Sequence, residues 1–234
     1  FVAKIFLTYE QSKNLFAAEK VLVTGNPVRA AFAAGLSRTQ EKKVGRRILI
    51  FGGSQGAAVI NKTVVAMLSF LQKMKDKVSV VHQTGERDLA MVRQAYEQYG
   101  IEAQVSPFIV DMVSAYTASD LIICRAGATS LSEITVAGKA SILIPFPFAA
   151  NDHQVLNAQA MVEAGAAAMI LESELTAEKL YSFVESLLDD HQKLQDMEVR
   201  SKKLGRPDAA ARIVDACMQL VPKNKRLSKN EEKS

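Results

Sequence analysis

The chain has 234 residues, 48% hydrophobic and 23% charged, with a net charge of +4, 12 glycines, 6 prolines, 2 cysteines and no tryptophan. That much apolar surface offsets the entropy of ordering a chain, so intrinsic disorder and collagen-like repeats are excluded. No apolar run approaches the roughly 18 residues a membrane-spanning helix needs; the runs at 48–51 and 121–124 stop at Gly52 and Arg125.

The charge is concentrated at the end of the sequence. Residues 222–234 carry five basic side chains (Lys223, Lys225, Arg226, Lys229 and Lys233) against Glu231 and Glu232, and the body is nearly neutral. This stretch reads as a solvated, disordered terminus, with attraction to anionic lipid as the alternative. Nucleic-acid binding needs a basic face joined to a reading motif, and neither is present. Cys124 and Cys217 belong to no CxxC or Cys/His array, which points to a reducing compartment and to no metal. The sequence starts at Phe1 without an initiator methionine or a signal peptide, so a piece of a longer chain is expected.

In chain order, a strand AKIFLTY (3–9) and a helix precede KVLVTGNPVRAAFAAG (20–35), and LSRTQEKKVGRR (36–47) reads as a surface loop. Short β-branched runs follow: RILIF (47–51), VSVVHQ (78–83), AQVSPF (103–108), LIICRA (121–126), SILIPF (141–146) and AAMIL (167–171). Stretches with helical apolar spacing separate them, such as Leu89, Val92, Ala95 and Tyr96. This alternation predicts βαβ units in a parallel sheet, whose strand carboxyl ends share one ligand-binding edge. Three helices are predicted to close the chain: 176–188, N-capped by Thr176, then 191–204, then 207–220, opening with Pro207.

Three strand exits carry polar residues. At the first, Gly52-Gly53-Ser54-Gln55-Gly56 leads into a helix starting near Ala57, a junction where free N–H groups suit a phosphate, although a tight turn without a ligand has the same look. It is neither GxGxxG nor GxxxxGK[ST]. At the second, Arg125-Ala126-Gly127-Ala128-Thr129-Ser130-Leu131-Ser132-Glu133, Ser130 and Glu133 have capping-box spacing. Alternatively Glu133 faces the cleft and accepts from two sugar hydroxyls. At the third, Asp152, His153, Gln154 and Asn157 follow PFPFAAN; His153 and Gln154 suit phosphate or sugar oxygens, while Asn151 or Asp152 suits a helix cap. His82 and His191 have no partners at metal-ligand spacing, and there is no GxSxG nucleophile elbow.

The set GNPVR (25–29), FGGSQGA (51–57), HQTG (82–85), PFIVDM (107–112), CRAGATSLSE (124–133), PFPFAANDHQVLNA (145–158) and EAGAA (163–167) resembles the donor-binding half of the MurG family. These are bacterial N-acetylglucosaminyltransferases of peptidoglycan synthesis, and the likeness covers about residues 1–221. The resemblance implies an α/β fold: a Rossmann-like parallel sheet with helices on both faces, the C-terminal domain of a GT-B glycosyltransferase, ending in helices. It implies a remnant of the acceptor domain at 1–18, a UDP-sugar domain at 19–221 and the basic tail at 222–234. The acceptor domain itself, with its glycine-rich loop, has no counterpart in the sequence.

The implied reaction moves N-acetylglucosamine, with inversion, from UDP-N-acetylglucosamine to lipid I, giving lipid II, on the inner face of the cell membrane and with no cofactor or metal. By matching motifs, Ser54 and Gln55 face the diphosphate and Arg29 stabilises the leaving UDP. The backbone at Phe108 and Ile109 holds uracil, Glu133 the ribose, Ala128 and Ser130 the phosphate region, and His153 and Gln154 the N-acetylglucosamine and phosphate. The family often has two glutamines where this chain has His153-Gln154. The alternatives are a stand-alone donor half that works with a separate acceptor subunit and a non-catalytic nucleotide-sugar binding module.

Overall fold

The computed structural model describes residues 2–35, 45–53, 57–149 and 152–221. Its first strands, β1 (Ile5–Leu7) and β2 (Val21–Val23), pair in parallel as a separate two-stranded sheet, with short 3-10 turns between them. The boundary read at residue 18 therefore falls between two strands that pair with each other. After β2 the chain turns at Gly25, whose φ is +83°, and a Cβ there would stand 2.6 Å from that of Arg206. Only glycine fits both the left-handed backbone and the close approach. Helix α1 (Ala30–Gly35) follows.

The main sheet comprises β3 (Arg46–Phe51), β4 (Val78–Gln83), β5 (Ala103–Ser106), β6 (Leu121–Cys124), β7 (Ala140–Leu143) and β8 (Ala168–Met169). All five pairings are parallel, in the order β5-β4-β3-β6-β7-β8. The connecting helices are α2 (Ala58–Leu71), α3 (Leu89–Tyr99), α4 (Met112–Ala118), α5 (Ala128–Ala137) and α6 (His153–Glu163), and α7 (Ala177–Asp189), α8 (His191–Leu204) and α9 (Ala209–Leu220) close the chain.

Alternation along each strand divides the core in two. Ile48, Ile50, Val80, Ile123 and Ile142 face α2, α3, α7 and α8 through residues such as Val64, Val92, Val184 and Leu194. Leu49, Phe51, Ile122 and Leu143 face the opposite way, onto Phe32, Tyr116, Leu131, Ile134 and Met161. Strands buried on both faces explain why they read as continuous apolar runs. Strand order reverses between β3 and β6, which puts the ligand crevice of such sheets outside the exits of those two strands.

Several predicted bounds shift for local reasons. The run at 141–146 yields a strand ending at Leu143, ahead of Pro145, which has no N–H to give a ladder. Thr176 caps α7 as expected, its side chain accepting from the Lys179 N–H at 3.2 Å. Pro207 does not open α9. It lies in a turn closed by the Ala209 N–H donating to the Arg206 carbonyl, and the helix starts two residues later. Of the surface loop read at 36–47, residues 36–44 lie outside the described residues, as does the basic tail, while Arg46 and Arg47 belong to β3 and pair with β4 instead of lying in a loop.

Candidate functional site

The exits of β3, β6 and β7 share one edge of the sheet, as the three polar motifs require. At the β3 exit, Gly53 has φ +102° with open space where a side chain would project. Ser54, Gln55 and Gly56 lie outside the described residues. The Gly53 carbonyl accepts from Gln83 Nε2 at 2.9 Å, and Gln83 Oε1 accepts from the Ile109 N–H at 2.9 Å. Gln83, buried at the end of β4, thus ties the glycine turn to the 107–109 loop. With its N–H engaged, Ile109 leaves other groups of that loop to meet a ligand, among them the Phe108 ring, which is 57% exposed.

The capping-box reading of the β6 exit is overturned. Gly127 is the N-cap of α5, Ala128 its first residue and Ser130 its third, so Ser130 lies inside the helix and Glu133 well beyond the first turn. The Glu133 carboxylate instead accepts from Arg29 Nη2 at 3.2 Å, across 104 residues of sequence. Burial pushes the Glu133 carboxyl above its usual range, and the Arg29 guanidinium opposes part of that shift. Beside it, the Tyr116 hydroxyl is buried without a hydrogen bond of sound geometry. The Tyr116 ring meets Phe32 edge-on at 5.2 Å, and the Arg29 guanidinium lies 5.3 Å from the Phe32 ring centre.

A carboxylate that accepts one hydrogen bond among the described residues keeps oxygen lone pairs for hydroxyl donors. The first N–H groups of α5 lie close by in sequence, at Ala128 and Ser130, where a helix start favours an anion. Arg29 and Glu133 are therefore brought together, with Ala128 and Ser130 on the helix that carries Glu133.

At the β7 exit, Asp152 precedes α6 in a left-handed conformation, φ 51°, which aspartate tolerates better than most residues. His153, the first helical residue, is exposed. Gln154 points inward: its Oε1 accepts from the backbone N–H groups of Ala126 at 3.2 Å and Phe146 at 3.0 Å. Asn157 Nδ2 donates to the Ala126 carbonyl at 3.2 Å, so α6 is stapled to the β6 and β7 exits. Arg125 adds a second brace, donating to the carbonyls of Ile144 and Pro145, both at 3.2 Å, and pairing with Glu172 at 2.5 Å. That ion pair is close in distance but poorly aligned as a hydrogen bond.

Sequence reasoning missed Gln83, Arg125 and a buried network behind the site. Asn61 Nδ2 donates to the Thr84 carbonyl at 2.9 Å and to Asp88 at 2.8 Å, which leaves Asn61 Oδ1 to accept from His82 Nε2 at 3.1 Å. His82 Nδ1 then accepts from the Tyr96 hydroxyl at 3.1 Å. Burial holds this imidazole neutral, its pKa pushed down to about 3. His191, by contrast, lies at the opposite, amino-terminal edge of the sheet, its Nδ1 3.0 Å from Arg46 Nη2.

Residues 47–213 match the family model described as glycosyltransferase family 28 C-terminal domain. The UDP-N-acetylglucosamine–N-acetylmuramyl-(pentapeptide) pyrophosphoryl-undecaprenol N-acetylglucosamine transferase of Syntrophus aciditrophicus is 47% identical over 221 residues, covering 94% of this chain and 61% of the relative. Its counterpart in Myxococcus xanthus is 46% identical over 220 residues, covering 94% and 57%. The crystal structure of Acinetobacter baumannii MurG superposes with a TM-score of 0.78 at 32% identity, over 93% of this chain and 61% of that one. The chain thus spans about three fifths of the length of the proteins it matches.

Proposed function

The chain belongs to the glycosyltransferase family 28 C-terminal domain family, and from that premise we propose that it is the donor-binding half of an N-acetylglucosaminyltransferase that makes lipid II from lipid I. The observation that carries this reading is the Arg29–Glu133 pair beside the start of α5, at the crevice where strand order reverses.

UDP-N-acetylglucosamine lies across the strand exits. Its base meets the 107–109 loop, its ribose hydroxyls donate to Glu133, and its diphosphate faces the Gly52–Gly53 turn, Ser54, Gln55 and the α5 N-terminus. His153 reaches the sugar and phosphate end. Gln154 uses its carbonyl oxygen on the backbone, so its contribution there is limited to Nε2. Arg29 is the one ion-pair partner of Glu133 among the described residues and its side chain is 57% exposed, which leaves it able to turn toward the diphosphate. As the sugar–phosphate bond breaks, negative charge grows on the leaving UDP, and a guanidinium held there lowers the barrier in proportion to that growth.

The rest of the longer protein supplies lipid I binding, the base that activates the acceptor hydroxyl and contact with the inner membrane surface. No cofactor enters this scheme. The six-stranded sheet and its helices make up the UDP-sugar domain, while β1 and β2, on either side of residue 18, pair with each other in a separate small sheet. No helix among the described residues is long and apolar enough to cross a membrane. The test supplies the 234-residue chain with UDP-N-acetylglucosamine and lipid I. Donor binding without sugar transfer is expected, and transfer by this chain alone would overturn the division of labour.

A further inference from the structure

We propose that Phe148 is a stacking platform for the pyranose ring of the donor, a role that rests on the nucleotide-sugar reading above. Phe148 is 83% exposed on the loop between β7 and α6, at the edge of the sheet where the crevice opens. With Phe146, itself 40% exposed, it forms a contiguous apolar patch at this edge, of the kind that marks a binding groove. The ring is also supported on one side. It meets Phe146 edge-on, centres 5.7 Å apart at 71°, and Phe146 in turn lies 5.3 Å from the Arg125 guanidinium.

Arg125 is fixed by two backbone carbonyls and by Glu172. The Phe146 N–H donates to Gln154 Oε1, so the aromatic pair and the first turn of α6 form one braced unit. The Ala149 N–H donates to the Phe146 carbonyl and closes a turn over Pro147 and Phe148.

The direction of the ligand selects the occupant. With the base at the β5 exit and the diphosphate at the β3–β6 reversal, the remaining end of a nucleotide sugar continues over the β7 exit. A pyranose presents C–H groups on one face and hydroxyls at its rim. Its apolar face covers an aromatic ring while the rim donates to and accepts from the first residues of α6.

The experiment compares affinities for UDP and UDP-N-acetylglucosamine by calorimetry in the chain and its Phe148→Ala, Phe148→Leu and Phe148→Trp variants. At such exposure these changes leave the fold intact. Phe148→Ala and Phe148→Leu are expected to lower the affinity for UDP-N-acetylglucosamine by about fivefold while leaving that for UDP unchanged, and Phe148→Trp to preserve both. An unchanged ratio of the two affinities overturns the proposal, as does a Leu variant that behaves like the native chain. Weaker binding of the Ala variant to anionic vesicles with that ratio unchanged assigns the ring to the membrane and overturns it too. A native chain that binds neither ligand instead defeats the donor-site reading itself.

Discussion

Arg29 Nη2 stands 3.2 Å from Glu133 Oε1, joining the turn after β2 to the second turn of α5. The carboxylate is buried and the guanidinium more than half exposed, so the pair is asymmetric: Glu133 pays most of the desolvation and Arg29 remains free to move. On the proposed reading, Arg29 neutralises a carboxylate that a ribose is to occupy. Binding then replaces or shares that contact, and Arg29 becomes available to the diphosphate.

Glu133→Gln separates the binding role from the structural one. Burial raises the Glu133 pKa, so the ionised form is a burden on the fold above that raised value, and an amide of the same shape relieves it. Stability at neutral pH is expected to hold or rise in the variant. UDP affinity is expected to fall by roughly 10- to 100-fold, the worth of charged hydrogen bonds to a ligand. Denaturant melts and UDP titrations check both; lost stability with unchanged affinity would return Glu133 to a purely structural role.

Gln83→Leu removes both halves of the bridge between Gly53 and Ile109 while keeping an apolar stem in the buried site. A part-buried carbonyl and a part-buried N–H then lose their partner, each at a cost of at most about 1–3 kcal/mol, the figure for full burial. On the proposed reading the loop and the turn hold the base and the diphosphate, so UDP binding is expected to weaken beyond what lost stability explains. Titration at temperatures well below the melting point of the variant makes the comparison. Unaltered affinity would show that the two segments hold their places without Gln83.

His82 gives the fold a pH dependence of defined sign. Its folded pKa of about 3 lies below the ~6.5 of an unfolded histidine, so as pH falls through 6.5 the unfolded chain takes up a proton that the native one refuses. The stabilisation is complete above that point and is lost by up to ~1.4 kcal/mol per pH unit toward pH 3. A His82→Gln variant is expected to lack this slope between pH 6.5 and 5, above the range where carboxylates titrate. Parallel stability profiles for the two proteins would mean that His82 is not held neutral.

The sheet is readable in the sequence because its central strands are buried on both sides. Leu121–Cys124 and Ala140–Leu143 have no exposed face to interrupt an apolar run, and the helix cap at Thr176 uses a local rule. The site is readable only in part. Ser130 and Glu133 keep the same spacing whether they cap a helix or ride inside one, and what decides is the extended Gly127, which caps α5 three residues before Ser130.

Polar side chains at strand exits look alike in sequence whether they face a ligand or the backbone. Gln154 was expected at the sugar, yet its oxygen is occupied by the N–H groups of Ala126 and Phe146, 28 and 8 residues away. His82 shows no sign of its role for the same reason, since its partners Asn61 and Tyr96 come from α2 and α3. Long-range contacts of this kind leave no local periodicity to read. The one sequence cue to Gln83 is its place beside His82 in HQTG, a polar pair ending an otherwise apolar strand.

The central claim is that this chain holds a uridine nucleotide across its strand exits, with Glu133 on the ribose. Calorimetric titration of UDP against 2′-deoxy-UDP and 3′-deoxy-UDP tests it most directly. The account predicts that UDP binds and that each deoxy analogue binds at least about tenfold more weakly, with the difference lost in Glu133→Gln. Equal affinity for all three in the native chain, or no binding of UDP, would contradict it.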